Sequence, residues 1–432
     1  MNSIIENDKN IGLEMYDLMK ELFPICRSIT GNGVRKTLKK IQSIIPIGIY
    51  EVPSNTKVFD WTIPKEWNIQ DAYVIDPKGK KIIDFKNSNL HVVSYSIPIH
   101  EKMSLQELKL HIHTLPEMPD VIPYLTSYYN EDWGFCMSHN EFTKLQEGEY
   151  EVMIDSTLEI GSLTYGEFLK KGEIEDEFLI SCYVCHPSMC NDNLSGPVLA
   201  TILGKYLEKM KTKFSYRFLF IPETIGAITW LSKNENNIHK IKNGLVATCL
   251  GDSGIMTYKK TRNGDAEIDK VSKYVLENSK KEFNIIDFFP LGSDERQFCS
   301  PGFDLPVGSL MRTMYGKFPE YHTSADNLDF IKPENLHDTL ISYSKIIFIL
   351  ENNEKYINLI PKCEPQLGKR GLYRQLGSQK NSEKSELAMF WILNQSDGKN
   401  SLLDIAIKSN LDFHLIKQVT DELLENDLLK IA

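Results

Sequence analysis

Between residues 150 and 352 the chain alternates nearly continuous apolar runs with amphipathic ones, and this rhythm narrows the accessible folds more than any other feature. EFLISCYVCH (177–186) has the nearly continuous apolar character of a strand buried on both faces. LSGPVLATILGKYLEKMK, just after it, repeats apolar side chains at the helical period. The unit recurs as SYRFLFIPE then GAITWLSK, GLVATCLGD then DKVSKYVLENSK, and LPVGSLMRT then PENLHDTLISYSKIIFILE. Such alternation predicts an α/β fold, a largely parallel mixed sheet flanked by helices, with ligands outside the carboxyl ends of the strands. Functional residues are therefore expected just after each strand.

The 432 residues are enough for about three domains. Residues 12–22 and 34–45 space apolar side chains as two helices joined by the ITGNG turn. From about 52 to 135 Pro, Trp and Tyr cluster, and DAYVID and LHVVSYS, set off by PKGK and KNSN turns, read as strands of a β-rich unit. The expected division is a core domain of 1–51 and 136–360, an inserted β-rich lid domain of 52–135, and a winged-helix-like domain of 375–432. The last rests on three short helical stretches (SELAMFWILNQ, SLLDIAIKS, FHLIKQVTDELLEND) closed by the strand LLKIA.

Charge argues against the DNA binding that such a tail suggests. The whole chain carries 59 acidic and 49 basic residues, a net −10. From Glu383 onward nine acids face five lysines, where a reader of phosphates needs the opposite balance. A protein-interaction or oligomerisation role is expected for the tail instead. The N-terminus lacks a basic segment followed by an apolar run, the eight cysteines are scattered, and no apolar stretch reaches the ~20 residues of a membrane span. The expectation is a soluble protein of the reducing cytoplasm with no membrane partner.

The strand ends carry the chemistry. The first reads CHPSMCNDNLSG, with His186 where a buried strand surfaces and Asp192 in the following turn; the next leaves Glu223 in IPETIG; the last leads to His322 and Asp326 in YHTSADN. Each has an ordinary reading alone, a hydrogen-bonded structural His or a helix-capping Asp. Together they set two His, an Asp and a Glu on one sheet edge. Imidazole and carboxylate are the usual non-thiol zinc ligands, and a metal-bound water needs a nearby base, commonly a Glu.

NDNLSG with YHTSADN resembles the metallo-aminopeptidases of the zinc exopeptidase fold, over residues 150–350. The full layout resembles a bacterial aminopeptidase-like group with an inserted β domain, marked by VFDWTIPKEW, and a C-terminal winged helix; FPICRSITGNGVRKTL and TSYYNEDWGFC look like its signatures. Its genes often accompany polysaccharide biosynthesis genes. The resemblance implies that His186, Asp192 and His322 are metal ligands and Glu223 the general base. Two family ligands are missing: Thr224 follows Glu223 where a second carboxylate is usual, and Thr248-Cys249-Leu250-Gly251 stands where a ligand Asp is usual. One zinc is therefore expected rather than two, with Asp252 able to rescue a second site only if the alignment slips.

Several neighbours are candidates to complete the pocket. Asp326 either accepts a hydrogen bond behind the ligands or caps the last helix, and Asp294 in LGSDERQF either lies close to the site or is a turn residue. Arg262 and Arg312 could grip a substrate carboxylate or form structural ion pairs. Tyr315 and Tyr321 could donate to an oxyanion or simply pack. Cys182, Cys185, Cys190 and Cys249 read as small buried hydrophobes. The expected activity is aminopeptidase-like hydrolysis of a peptide or other amide bond in a small substrate. The alternative is a binding or scaffold protein on a peptidase fold that has lost turnover.

Overall fold

A computed structural model describes residues 2–372 and 380–432, in two compact units, Met1–Ser344 and Lys345–Ala432. The first unit is organised on an eight-stranded mixed sheet: β1 (Gly48–Pro53), β2 (Ser162–Lys170), β3 (Glu177–Tyr183), β4 (Ser215–Ile221), β5 (Ile241–Val246), β6 (Met256–Lys259), β7 (Phe283–Ile286) and β8 (Val307–Met311). The spatial order is β1-β2-β4-β3-β5-β8-β6-β7. The central four, β4, β3, β5 and β8, run parallel, so their carboxyl ends emerge on one edge. Every residue of β3 and β4 is buried, as their nearly continuous apolar runs require.

Helices α1 (Ile11–Leu22), α2 (Asn32–Gln42), α3 (Ser195–Glu208), α4 (Ile225–Asn234), α5 (Glu267–Glu277) and α6 (Pro333–Asn352) accompany this sheet. At the amino-terminal ends of β3 and β4 the buried Arg217 forks onto Glu177, with Nη2 2.6 Å from a carboxylate oxygen, and also pairs with Glu167. The polar hardware at that end is structural, which leaves the opposite edge for chemistry.

The inserted segment forms a second, four-stranded antiparallel sheet in the order 81–84, 66–75, 149–159, 99–104. Ala72, Val74, Tyr150, Val152 and Ile154 build its core. Strand Glu149–Glu159 lies past residue 135, where the sequence places the return to the main domain, because its alternating burial matches this sheet and not the core. All of DAYVID except its last residue lies within strand Glu66–Ile75, but LHVVSYS is not a strand. It opens as a 3₁₀ turn at Asn89–His91, and Tyr95 has a left-handed φ of 72° that turns the chain away from pairing.

In the second unit a three-stranded sheet, 397–401 beside 355–358 beside 429–431, accompanies helices Lys380–Gln395, Leu402–Ser409 and Phe413–Glu425. This is a winged helix, and Lys355–Asn358 gives it a strand upstream of the expected start. Residues 375–379 of that expectation lie outside the described residues. Ser401 and Asp412 cap the second and third helices through their side chains. Among the described residues no helix is long and apolar enough to cross a membrane.

Candidate active site

His186 follows β3 by three residues, and a single buried side chain fixes its backbone. Arg27, from the segment between α1 and α2, donates Nε to the His186 carbonyl and Nη2 to the Pro187 carbonyl, both at 2.8 Å, and Nη1 to Leu22. Asp326 does the same for the next turn. Its carboxylate accepts the backbone N–H groups of Cys190 (3.1 Å), Asn191 (2.6 Å) and Asp192 (2.8 Å). Asp326 therefore holds the Asp192 loop and does not cap α6, which starts seven residues later at Pro333.

Asp192 is wholly buried, and its two oxygens have different company. Oδ2 lies 2.9 Å from His322 Nε2 and 3.9 Å from His186 Nε2. Oδ1 accepts the Tyr183 hydroxyl, which is also 2.6 Å from Thr248 Oγ1. His186, Asp192 and His322 each present one ligand atom, all within 4.8 Å of one another. Two imidazole nitrogens and a carboxylate oxygen converging in a buried site are a donor set that fits a zinc-like cation.

Glu223 sits where Pro222 ends β4, with Oε2 3.8 Å from His186 Nε2 and its N–H on Cys185 Sγ at 3.2 Å. Thr224 after it takes φ 61°, unfavourable for a β-branched residue. Two bonds hold it there: its N–H donates to Asp294 Oδ1 (2.7 Å), and its hydroxyl oxygen accepts from Arg296 Nη2 (2.9 Å). Burial, then the Asp294 and Asp192 charges, push the Glu223 carboxyl well above the usual range. Burial likewise lifts Asp294 to about 7 and pushes His186 down to about 4. Burial would raise Asp192 too, but His186 and His322 prevail and leave its carboxyl lowered.

The other candidates separate cleanly. Asp252 accepts from Asn191 Nδ2 (2.9 Å), Thr313 Oγ1 (2.6 Å) and the Gly254 amide (2.6 Å), so its oxygens are spent on loop structure. Arg262 pairs with Asp304 at 3.0 Å, and Arg312 with Asp338 at 3.1 Å and the Gly254 carbonyl; neither joins the His–Asp–His group. Tyr315 bonds the buried Glu295 and Lys259, each at 2.9 Å. Tyr321 stacks on the His322 ring at 3.9 Å and backs that ligand. Cys182, Cys185, Cys190 and Cys249 are buried free thiols, and Cys185 also forms a possible ligand group with His186 and Glu223.

Four residues that sequence reasoning did not single out complete the site: Arg27, Tyr124, Tyr183 and Arg296. Tyr124, from the insert, packs its ring 5.5 Å from His186 and 5.2 Å from His322, and its N–H bonds the His322 carbonyl at 2.8 Å. Arg27 and Tyr124 lie within FPICRSITGNG and next to TSYYNEDWGFC, so those unusual strings were the available signal.

Comparison with known proteins bears on this arrangement. A family model described as "Domain of unknown function (DUF4910)" matches residues 16–353, and one described as "winged helix-turn-helix" matches 354–431. A Clostridium acetobutylicum protein named "Putative polysaccharide biosynthesis protein with aminopeptidase-like domain" is 60% identical over 432 residues, covering 100% of this chain and 99% of that protein. The crystal structure of a "putative peptidase" from the same organism is 59% identical, with a TM-score of 0.95 over 100% of this chain and 99% of that one. A zinc aminopeptidase from Bacillus subtilis is 12% identical, with a TM-score of 0.57 over 78% of this chain and 95% of that one, a likeness of fold alone.

Proposed function

Taking as premise that the chain belongs to the DUF4910 family and carries an aminopeptidase-like fold, we propose that it is a zinc-dependent hydrolase of a peptide or other amide bond in a small substrate. The observation that carries this reading is the convergence of His186, Asp192 and His322 beside the Glu223 carboxylate, on loops locked by Arg27 and Asp326. A zinc ion held by those three residues would supply Lewis acidity toward a substrate carbonyl and acidify a bound water. Glu223 then takes the proton from the attacking water at Oε2 and returns it to the leaving nitrogen. In the metal-free chain burial and the Asp294 and Asp192 charges lift this carboxyl, and a cation held beside it would favour the ionised form that a base needs.

Tyr183 supports one ion rather than two. Its hydroxyl occupies Asp192 Oδ1, the oxygen a second cation would need, and Thr248 beyond it offers no charge. Asp252, the alternative donor, is already saturated. Tyr124 on one side of the two histidines, contributed by the insert, narrows the approach and favours small substrates over protein chains. The name of the Clostridium relative is consistent with an amide-bearing sugar intermediate as substrate. For the acidic winged helix we favour a protein partner or a second copy of the chain over nucleic acid, and for the protein a cytoplasmic setting.

The test is a hydrolysis screen of short peptides and N-acyl sugars with zinc-loaded wild type, Glu223→Ala and His186→Ala. Activity present in wild type and lost in both variants is expected. Equal background in all three would make the chain a binding protein on a peptidase fold.

A further inference from the structure

A cavity of about 840 Å³ opens beside Arg296 and Tyr321, and its chemistry is unlike that of the surrounding chain. Among the described residues no Asp or Glu side chain lines it, although acids outnumber bases 59 to 49 overall. Its two charged lining residues are Arg296 and Lys317, set among Phe289, Met314, Tyr315 and Tyr321. The cavity joins the candidate site at two points. Tyr321 stacks on the ligand His322, and Arg296 bonds the hydroxyl of Thr224, the residue after Glu223.

Arg296 has capacity to spare. Its Nη2 bonds the Thr224 hydroxyl and its Nε is buried out of reach, so the Nη groups are what it offers the cavity, and among the described residues no carboxylate forms an ion pair with it. A guanidinium offers five donors in a planar fork suited to a carboxylate, and this one faces the Glu223 and Asp294 charges through space without a direct ion pair that would use up those donors. The wall behind it is rigid. Lys259 and Glu295 pair at 2.7 Å with no exposure, both bond the Tyr315 hydroxyl, and the Lys259 amine sits 3.8 Å from the centre of the Phe289 ring. Gly292 has φ 114°, and any Cβ there would meet the Tyr315 ring at 2.1 Å, so glycine is what lets that ring close the wall. A preformed, largely apolar cavity with a small number of convergent polar or charged groups is the usual form of a small-ligand subsite.

We propose that this cavity is the specificity subsite of the enzyme and that it takes a substituent bearing a carboxylate, received by Arg296 with Lys317 at the rim. The inference rests on the hydrolase reading, since the cavity matters to turnover only if the amide is cleaved at Glu223. Two sources supply the chemistry, an acidic amino acid or a uronic acid sugar. Arg296 also acts through space on Glu223 and Asp294, lowering both carboxyls. A loss of rate alone would therefore not distinguish recognition from an effect on the base, and the test must read preference.

The full-length zinc-loaded protein is assayed on L-glutamyl- and L-glutaminyl-4-nitroanilide, near-isosteres differing in one charge. In parallel, calorimetry measures binding of L-glutamate against L-glutamine and of D-glucuronate against D-glucose. A tenfold or larger preference for the carboxylate of at least one pair is expected, of the order a charge-assisted hydrogen bond provides. It should fall toward one in Arg296→Met and be partly retained in Arg296→Lys, which keeps the charge if the longer truncation perturbs folding. The pair that shows the preference identifies the source. Preference near one for every pair in wild type, or a preference that Arg296→Met leaves intact, overturns the proposal. Arg296-dependent carboxylate binding without hydrolysis of any amide supports the subsite and overturns the hydrolase reading; hydrolysis indifferent to charge does the reverse.

Discussion

Replacing Asp326 with asparagine removes one oxygen and one charge from a residue outside the His–Asp–His group, and should nevertheless loosen that group. In the native chain Oδ1 accepts the amides of Cys190 and Asn191, and Oδ2 that of Asp192. Asparagine keeps one acceptor oxygen and sets an NH₂ group against a backbone N–H, so at least one buried donor loses its partner. A hydrogen bond to a charged group contributes about 1.5–3 kcal/mol, and an unsatisfied buried donor costs about 1–3, so roughly 3 kcal/mol of stability is expected to go. That is several degrees in melting temperature for a unit of this size. Asparagine keeps most bonds by leaving its oxygen on the Cys190 and Asn191 amides, which strands the Asp192 amide, so zinc affinity should fall about 10–100-fold as well. Burial pushes the Asp326 carboxyl up to about 7 against the pull of those three amides, so the comparison belongs at pH 8, where wild type is ionised. Differential scanning fluorimetry with and without zinc, and competitive metal titration, read both effects. Wild-type melting and wild-type affinity in Asp326→Asn would refute the idea that this carboxylate positions the ligand loop.

Three further outcomes follow from the same geometry. Tyr183→Phe combined with Thr248→Asp frees Asp192 Oδ1 and restores a carboxylate beyond it, so bound zinc measured by mass spectrometry should rise from one to two per chain; an unchanged count would mean Tyr183 is not what limits it. Lys259→Met strands Glu295 in a fully buried site and should cost about 3–5 kcal/mol in urea unfolding, with Lys259→Met/Glu295→Gln recovering much of it. The last concerns pH. Burial lowers His186 from 6.5 to about 4, so on acidification the unfolded chain takes up this proton first. The contribution is therefore complete above about 6.5 and lost as pH falls toward 4, up to roughly 3 kcal/mol. Melting of the metal-free protein between pH 7.5 and 4.5 should show this slope, and His186→Gln should flatten it.

Much of the molecule is legible in its sequence. The apolar runs of β3 and β4 carry enough residues to declare burial on both faces, so the strand ends that bear His186, Asp192 and Glu223 could be placed. The short strand Met256–Lys259 could not, because four residues cannot display a period. LHVVSYS misled for a related reason: its composition suits a strand, and only the left-handed Tyr95 backbone, held in tertiary context, breaks it. Asp326 had two local readings of equal merit, and three amides from a distant loop decided between them.

By itself, then, the sequence determined the layering of the main sheet, the outline of the winged helix and the kinds of residue gathered at one sheet edge, since each follows from local periodicity and from which residue ends a buried strand. Tertiary structure alone decided what those residues can do. Arg27 reaches His186 across 159 positions and Asp326 reaches Asp192 across 134, while Tyr183, read as one more apolar strand residue, turns out to occupy an oxygen of Asp192. Contacts so remote leave no periodic trace in the chain, because register between separate strands and loops, and not the spacing along any one of them, sets which side chains meet.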